Sequence, residues 1–341
     1  MKRMSRSMTC ALLALCILMG GASATAFAQK VTKMKLVGTT VANPALGEYA
    51  AMLKFAELVK QHSNGSMLCE VYPANQLGTT AELAEGVSLG TIEAGIFGFD
   101  IIGNLDPAMN VMAMPYMFRD LAHQRLVLET DNPAGNMVKA SLKKNANMKI
   151  IGVLYRPMRV LGNTRNAVRS PADMKGMTIR SPEAAANVKT IEAMGAMPVT
   201  ISWAEVFTSL SLGVCHGVEN AITELYSIKL YETLKFVSET NHLPAPIPLV
   251  ISDAWFQKLP KDQQDALIKA GEETTAFRFA GLQAEIENAW KVFEQKGVKI
   301  LRADQIDMDA FRASCANVYK YFSQTKHYFT EDLYQAIKNT K

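Results

Sequence analysis

Arg180 closes the run Met177-Thr178-Ile179-Arg180, directly before Ser181-Pro182. A guanidinium at the end of a strand can grip a carboxylate through two parallel hydrogen bonds. Asn220 closes a second run, Val214–Asn220, and brings a donor and an acceptor without charge. Arg159 follows shortly after the apolar run 149–155 and carries the same chemistry as Arg180. Arg156, Arg165 and Arg169 are so close along the chain that spacing does not choose among them. A surface or interdomain salt bridge is the competing use for any of these cations.

Catalytic signatures are absent or fail on context. Gly86-Val87-Ser88-Leu89-Gly90 matches the G-x-S-x-G elbow, which needs a strand-to-helix turn with the serine at its apex. Ser88 lies within a helical run instead, so a hydrolase built on Ser88 is a rejected alternative. Among the five histidines, only His216 adjoins a cysteine, Cys215. Neighbours on a strand point to opposite faces, which makes a poor metal site. No Walker loop or dinucleotide glycine fingerprint occurs, so no cofactor and no metal is expected.

The elements that must position these groups alternate. Met34–Thr40 reads as a strand and Leu46–His62 as an amphipathic helix, with apolar residues three and four apart. Met67–Tyr72, Ile92–Phe97 and 149–155 read as further strands, Thr80–Leu89 and 133–144 as helices between them. The second half repeats the pattern: strand Met177–Arg180, helix Ala184–Met194, strand Pro198–Ile201, then a helix opened by Ser202 and Glu205 as a capping box. From Lys261 to Lys296 no proline interrupts a run of helix formers, and Gly281 is the one candidate break. Such a helix would span about 54 Å, enough to brace two domains. The alternation predicts an α/β fold with mostly parallel sheets. Their ligands sit at the carboxyl ends of strands.

The first 28 residues read as an export signal. Lys2, Arg3 and Arg6 precede an apolar stretch from Met8 to about Gly20, and Ala26-Phe27-Ala28 supplies a cleavage pattern that leaves Gln29 first. No later stretch reaches about 18 consecutive apolar residues, so none reads as a membrane span. Removing the three basic residues of the signal lowers the net charge from +4 to +1, which argues against a nucleic-acid partner. Cys69, Cys215 and Cys315 remain, an odd and widely spaced set that makes no disulfide framework.

Several segments resemble one family. They are 54–59 (KFAELV), 71–78 (VYPANQLG), 86–92 (GVSLGTI), 114–119 (MPYMFR), 173–180 (DMKGMTIR), 203–207 (WAEVF) and 217–220 (GVEN). In this order they resemble the solute-binding proteins of tripartite ATP-independent periplasmic (TRAP) transporters, dicarboxylate-binding type (DctP). The resemblance implies a two-domain clamp of the class II-like periplasmic-binding kind. One domain would comprise 29–157 plus about 246–285, the other 158–245 plus about 286–341, with the helix about 261–296 spanning both. It implies that Arg180 pairs with a ligand carboxylate, that Asn220 contacts the same group, and that Arg159 is a second basic ligand residue. Trp203 would form an aromatic wall. Asn43, Glu82 and Asp100 would read the distal part of the ligand. The sequence departs from the family where His216 precedes Gly217 and Ala221 replaces a proline, and His216 could titrate near neutrality.

The expected function is non-enzymatic capture of a small organic acid in the periplasm for the membrane permease subunits of a TRAP transporter. Sugar acids, hydroxy acids, dicarboxylates and aromatic acids all stay open, and a monomer is the default. An extracytoplasmic ligand-sensing subunit with the same pocket is the alternative.

Overall fold

The computed structural model describes residues 31–341, and every strand among these described residues joins one of two sheets. The expected signal, Met1–Ala28, lies outside the described residues. In chain order the strands are β1 (Thr32–Gly38), β2 (Met67–Tyr72), β3 (Ala94–Ile96), β4 (Met148–Leu154), β5 (Arg159–Asn163), β6 (Thr178–Ser181), β7 (Met197–Thr200), β8 (Gly217–Ala221), β9 (Phe236–Ser238), β10 (Ile247–Ser252) and β11 (Lys299–Leu301). The first lobe is built on the order β2-β1-β3-β10-β4, the second on β11-β9-β5-β8-β6-β7.

Both sheets are mixed: parallel pairings outnumber antiparallel ones five to four among the described residues, as mostly parallel sheets would have it, but each sheet holds one reversed strand. β1 pairs in parallel with β2 and β3, but β10 runs antiparallel to β3 and β4. β6 pairs in parallel with β7 and β8, but β5 runs antiparallel to β8 and β9. The reversed strands follow directly from the crossings. The chain leaves β4 of one sheet and enters β5 of the other within four residues, then returns from β9 to β10, so each sheet receives one strand from the wrong direction. The two crossing segments are tied together where the Arg159 N–H donates to Leu243 O at 2.9 Å.

A third crossing is the helix Lys261–Gln295, 35 residues without a break at Gly281. Leu267 and Ala270 pack in the core of the first lobe with Phe55 and Leu249. Ala289 and Phe293 pack in the second with Val160 and Val218. One rigid element is thus buried in both cores. Its close approach to β4 depends on Gly152 and Gly271. The Thr275 hydroxyl accepts the Val153 N–H at 2.8 Å, where a bulge between Leu249 and Val250 disturbs the β4–β10 register. The C-terminal segment returns to the first lobe: Phe329, Leu333 and Ile337 pack with Val138 and Leu142. The expected second domain ran to residue 341, and this packing places its last helix, Glu331–Asn339, elsewhere.

Local signals explain most element ends. Thr79 caps Thr80–Leu89 through a reciprocal box with Glu82, and Gly90 ends it at φ 78°. The box expected at Ser202 does not form. Its hydroxyl is used on the Glu205 carboxylate at 2.6 Å rather than on a backbone N–H, and a short 3-10 turn, Trp203–Glu205, precedes the helix Val206–Ser211.

Candidate functional site

The lobes enclose a cavity of about 400 Å³ between them, a size suited to a small metabolite. The ends of β3, β6 and β8 open onto it. The first lobe contributes Thr79, Thr80 and Asp100; the second contributes Arg180, Trp203 and Asn220; the crossing segments contribute Arg156, Arg159 and Pro244. The lobes also touch at the rim, where the Asn104 side-chain amide donates to Glu183 O at 2.9 Å.

Arg180 is 3% exposed, on the cleft wall. Its Nε–H donates to Ile201 O at 2.8 Å, and the guanidinium lies over the Trp203 ring, 5.3 Å from the centroid. Among the described residues no carboxylate lies within ion-pair distance of it. Burial lowers its pKa to about 10; Glu219 opposes that shift, and Arg159 reinforces it. The group stays cationic at neutral pH, so a desolvated positive charge is held at the cavity without a protein counter-ion. Asn220 is buried beside it and spends its carbonyl oxygen on the Ala221 N–H at 2.8 Å, which leaves its NH2 group to donate.

Arg159 is already paired. Its Nη2 donates to Glu219 Oε1 at 2.8 Å and to Glu219 O at 2.9 Å, and its Nε donates to the other carboxylate oxygen. Asn187 also donates to Oε1 at 3.1 Å, and His242 Nε2 lies 3.2 Å from Oε2. Burial alone would raise the Glu219 pKa; Arg159 and His242 outweigh it and hold the carboxyl at about 2. This buried quartet fixes Arg159 in place at the cavity wall. Arg159 is legible in the sequence as a candidate, whereas its partners Glu219, Asn187 and His242 are not. The one available signal was the acidic residue immediately before Asn220, on the opposite face of the same strand.

Arg156, left open among several arginines, also lines the cavity. It donates to Glu48 through Nε and Nη2, the latter at 2.6 Å, and lies 3.2 Å from Glu224. Asp100 lies on the opposite wall. Its carboxylate accepts the Ile101 N–H at 3.0 Å, an arrangement that crowds Gly98 so closely that a Cβ there would collide with it. The rest of that carboxylate is free to accept hydroxyl groups.

Two expected residues lie apart from the cavity. Asn43 is exposed and accepts the Ala45 N–H at 3.0 Å, a local turn. Glu82 is committed to the Thr79 cap, and its pKa is lowered by that backbone hydrogen bond. Neither lines the cleft, whereas Thr79, Thr80 and Ala81 do. His216 is also outside the cavity lining. Its Nδ1 accepts the Thr178 N–H at 2.9 Å, and desolvation and then Arg165 lower its pKa. Ser88 is in a helix and shows no strand-to-helix elbow.

Comparison with known proteins agrees with this architecture. Residues 38–326 match the family model described as bacterial extracellular solute-binding protein, family 7 (DctP). The 2,3-diketo-L-gulonate-binding periplasmic protein of Escherichia coli is 28% identical over 288 residues, 84% of each chain. A TRAP periplasmic solute-binding protein from Roseobacter denitrificans, solved with bound β-D-glucuronate, superposes with a TM-score of 0.85 at 25% identity, over 91% of this chain and all of that one. A second protein from the same organism, solved with bound L-galactonate, gives a TM-score of 0.81 at 28% identity, over 89% of this chain and 99% of that one. The chain therefore belongs to family 7 of the bacterial extracellular solute-binding proteins, the periplasmic binding components of TRAP transporters.

Proposed function

We propose that the cleft captures a polyhydroxylated monocarboxylic acid, a sugar acid, for delivery to the membrane subunits of a TRAP transporter. One observation carries this reading. Of the three arginines at the cavity, Arg156 and Arg159 already have carboxylate partners, and Arg180 has none. A single uncompensated, desolvated cation calls for a single anionic group. The ligand carboxylate lies on Arg180 and accepts from Asn220, with Trp203 covering one side. A second carboxylate would face Asp100 rather than a free cation, so dicarboxylates are disfavoured and hydroxyl groups suit that wall. The sugar acids bound by the relatives fit the same requirement.

Arg159 acts as the fixed floor of the carboxylate site. Closure of the lobes excludes water and strengthens the Arg180 ion pair by lowering the local dielectric. The chain is exported, its signal is cleaved after Ala28, and the monomer is the working unit. A thermal-shift screen of the protein against sugar acids, dicarboxylates and neutral sugars tests the reading. A ligand at 100 times its Kd stabilises by about 2.7 kcal/mol, a clear rise in Tm. Shifts confined to sugar acids are expected. Shifts from neutral sugars alone would show that Arg180 is structural.

A further inference from the structure

At the part of the cavity wall lined by Arg156 and Glu224, five charged side chains meet where the lobes join. Glu48 lies at the start of the helix Gly47–His62 of the first lobe, and Glu224 lies on the helix Ile222–Ser227 of the second. Arg156, on the segment crossing between them, faces both: it is bidentate to Glu48 and within ion-pair distance, 3.2 Å, of Glu224. The long helix adds Arg278, paired with Glu285. The Glu285 carboxylate also faces the Gly47 N–H at 3.4 Å, and a Cβ at Gly47 would collide with both Arg278 and Glu285. Arg156, Glu48 and Glu224 are all more than nine-tenths buried.

We propose that Glu48, Arg156 and Glu224 form an interlobe latch, in which closure buries Glu224 against an Arg156 already claimed by Glu48 and takes up a proton on the Glu224 carboxyl. This rests on the sugar-acid clamp proposed above. The geometry supplies the reason. Glu48 takes two hydrogen bonds from the guanidinium, so Glu224 is the second carboxylate on one cation. Two carboxylates sharing a site cannot both ionise at ordinary cost. The remaining charges around Glu224 do not cancel this: Glu285 adds repulsion, Arg278, paired with Glu285 through Nη1, opposes it as the smallest of the influences, and Asp100 draws on Arg156 from across the cleft. Consistent with that, burial and then Glu48 and Glu285 raise the Glu224 pKa from 4.5 to about 7, against the pull of Arg156. In an opened cleft water reaches Glu224, and it returns toward the ordinary value.

The sign follows from linkage. The closed, liganded form binds a proton that the open form lacks between about pH 4.5 and 7. Affinity is therefore highest on the acidic side and falls as pH rises through 7, by at least about tenfold between pH 5.5 and 8. Calorimetric titration of the intact protein tests this, with the best bound of D-glucuronate, L-galactonate and 2,3-diketo-L-gulonate as probe. At pH 6, heats in two buffers of different ionisation enthalpy should report roughly 0.5 to 1 proton taken up per ligand. Glu224→Gln should abolish the uptake and hold the affinity nearly constant from pH 5.5 to 8. Binding by the wild-type protein with no proton uptake and no pH dependence would overturn the latch and leave the clamp standing. Proton uptake that persists in Glu224→Gln would also overturn it. Absence of binding to any of the three acids at any pH would overturn the clamp and the latch together.

Discussion

Arg159 and Glu219 stand two register positions apart on antiparallel strands β5 and β8, a diagonal pair on one face, and the guanidinium lies bidentate on the carboxylate. That pairing decides which cation at the cavity is available. Arg180, on the far side of β8 from Arg159, is bonded only to a backbone carbonyl. Replacing it by alanine should cost ligand binding about 3–5 kcal/mol, because the ligand carboxylate would be buried unpaired. The unliganded protein should not lose Tm, since the cation is desolvated without a counter-ion. Calorimetric titration beside a thermal melt separates the two effects. Loss of Tm without loss of affinity would show that Arg180 supports the fold and not the ligand.

Glu219 should behave in the opposite way. Its pKa is held below the ordinary carboxylate value, so its contribution to stability is fully present above about pH 4.5 and is lost as pH falls toward about 2. The shift corresponds to at most about 3 kcal/mol. Glu219→Gln removes that slope and leaves Arg159 uncompensated, which costs about 3–5 kcal/mol at neutral pH. Thermal melts from pH 7 to 3 should show a steep fall for the wild type and a lower, flatter line for the variant. Parallel lines would mean that the quartet is not what loses stability in acid.

Asp100 is the group that should reject a second carboxylate. Asp100→Asn keeps the size and the hydrogen bond to Ile101 N but removes the charge. Affinity for a sugar acid should fall by about tenfold, roughly 1.4 kcal/mol, as a carboxylate acceptor for hydroxyls is lost. Affinity for a four- or five-carbon dicarboxylate should rise. Paired titrations with both ligand types check this, and a fall for both would place Asp100 in support of the wall rather than in selection.

His216 should leave the pH profile of binding unchanged. Desolvation and Arg165 keep the ring neutral near pH 7, and it lies outside the cavity lining. Because its pKa is depressed, its effect is a loss of stability below about pH 6.5, present in the unliganded protein as well. His216→Gln should therefore alter the acid limb of a Tm profile and not the pH dependence of Kd.

Much of this site is legible in the sequence, and the parts that are not have a common cause. Arg180 and Asn220 stand next to last on β6 and β8, and strand ends open onto clefts in α/β proteins. The helix Lys261–Gln295 is visible as a long run free of proline. The strands β5, β9 and β10 escape pattern reading. β9 has three residues, β5 is buried throughout and shows no alternation, and β10 carries Pro248, a residue that argues against a strand. Those strands flank the crossings, so the antiparallel pairing and the partners of Arg156 and Arg159 are set by contacts remote in sequence. Glu48 and Arg156 are 108 residues apart. Asn43 and Glu82 were placed by resemblance alone; each is instead used by the turn or cap next to it.

The two glycines of the long helix give a last test of how it joins the lobes. In a helix interior, glycine to alanine ordinarily stabilises by about 0.8–1 kcal/mol. Gly281 has nothing near the position of a Cβ, so Gly281→Ala should stabilise by that ordinary amount and raise Tm. Gly271 lies against the backbone of β4, where a Cβ would collide with Ile151 O, and backbone cannot give way as a flexible side chain can. Gly271→Ala should therefore destabilise, by about 1–3 kcal/mol, and loosen the Thr275 contact with Val153. Calorimetric melts of the two variants should move in opposite directions. If both rise, the helix does not press on β4 as described, and the brace between the lobes is looser than its packing suggests.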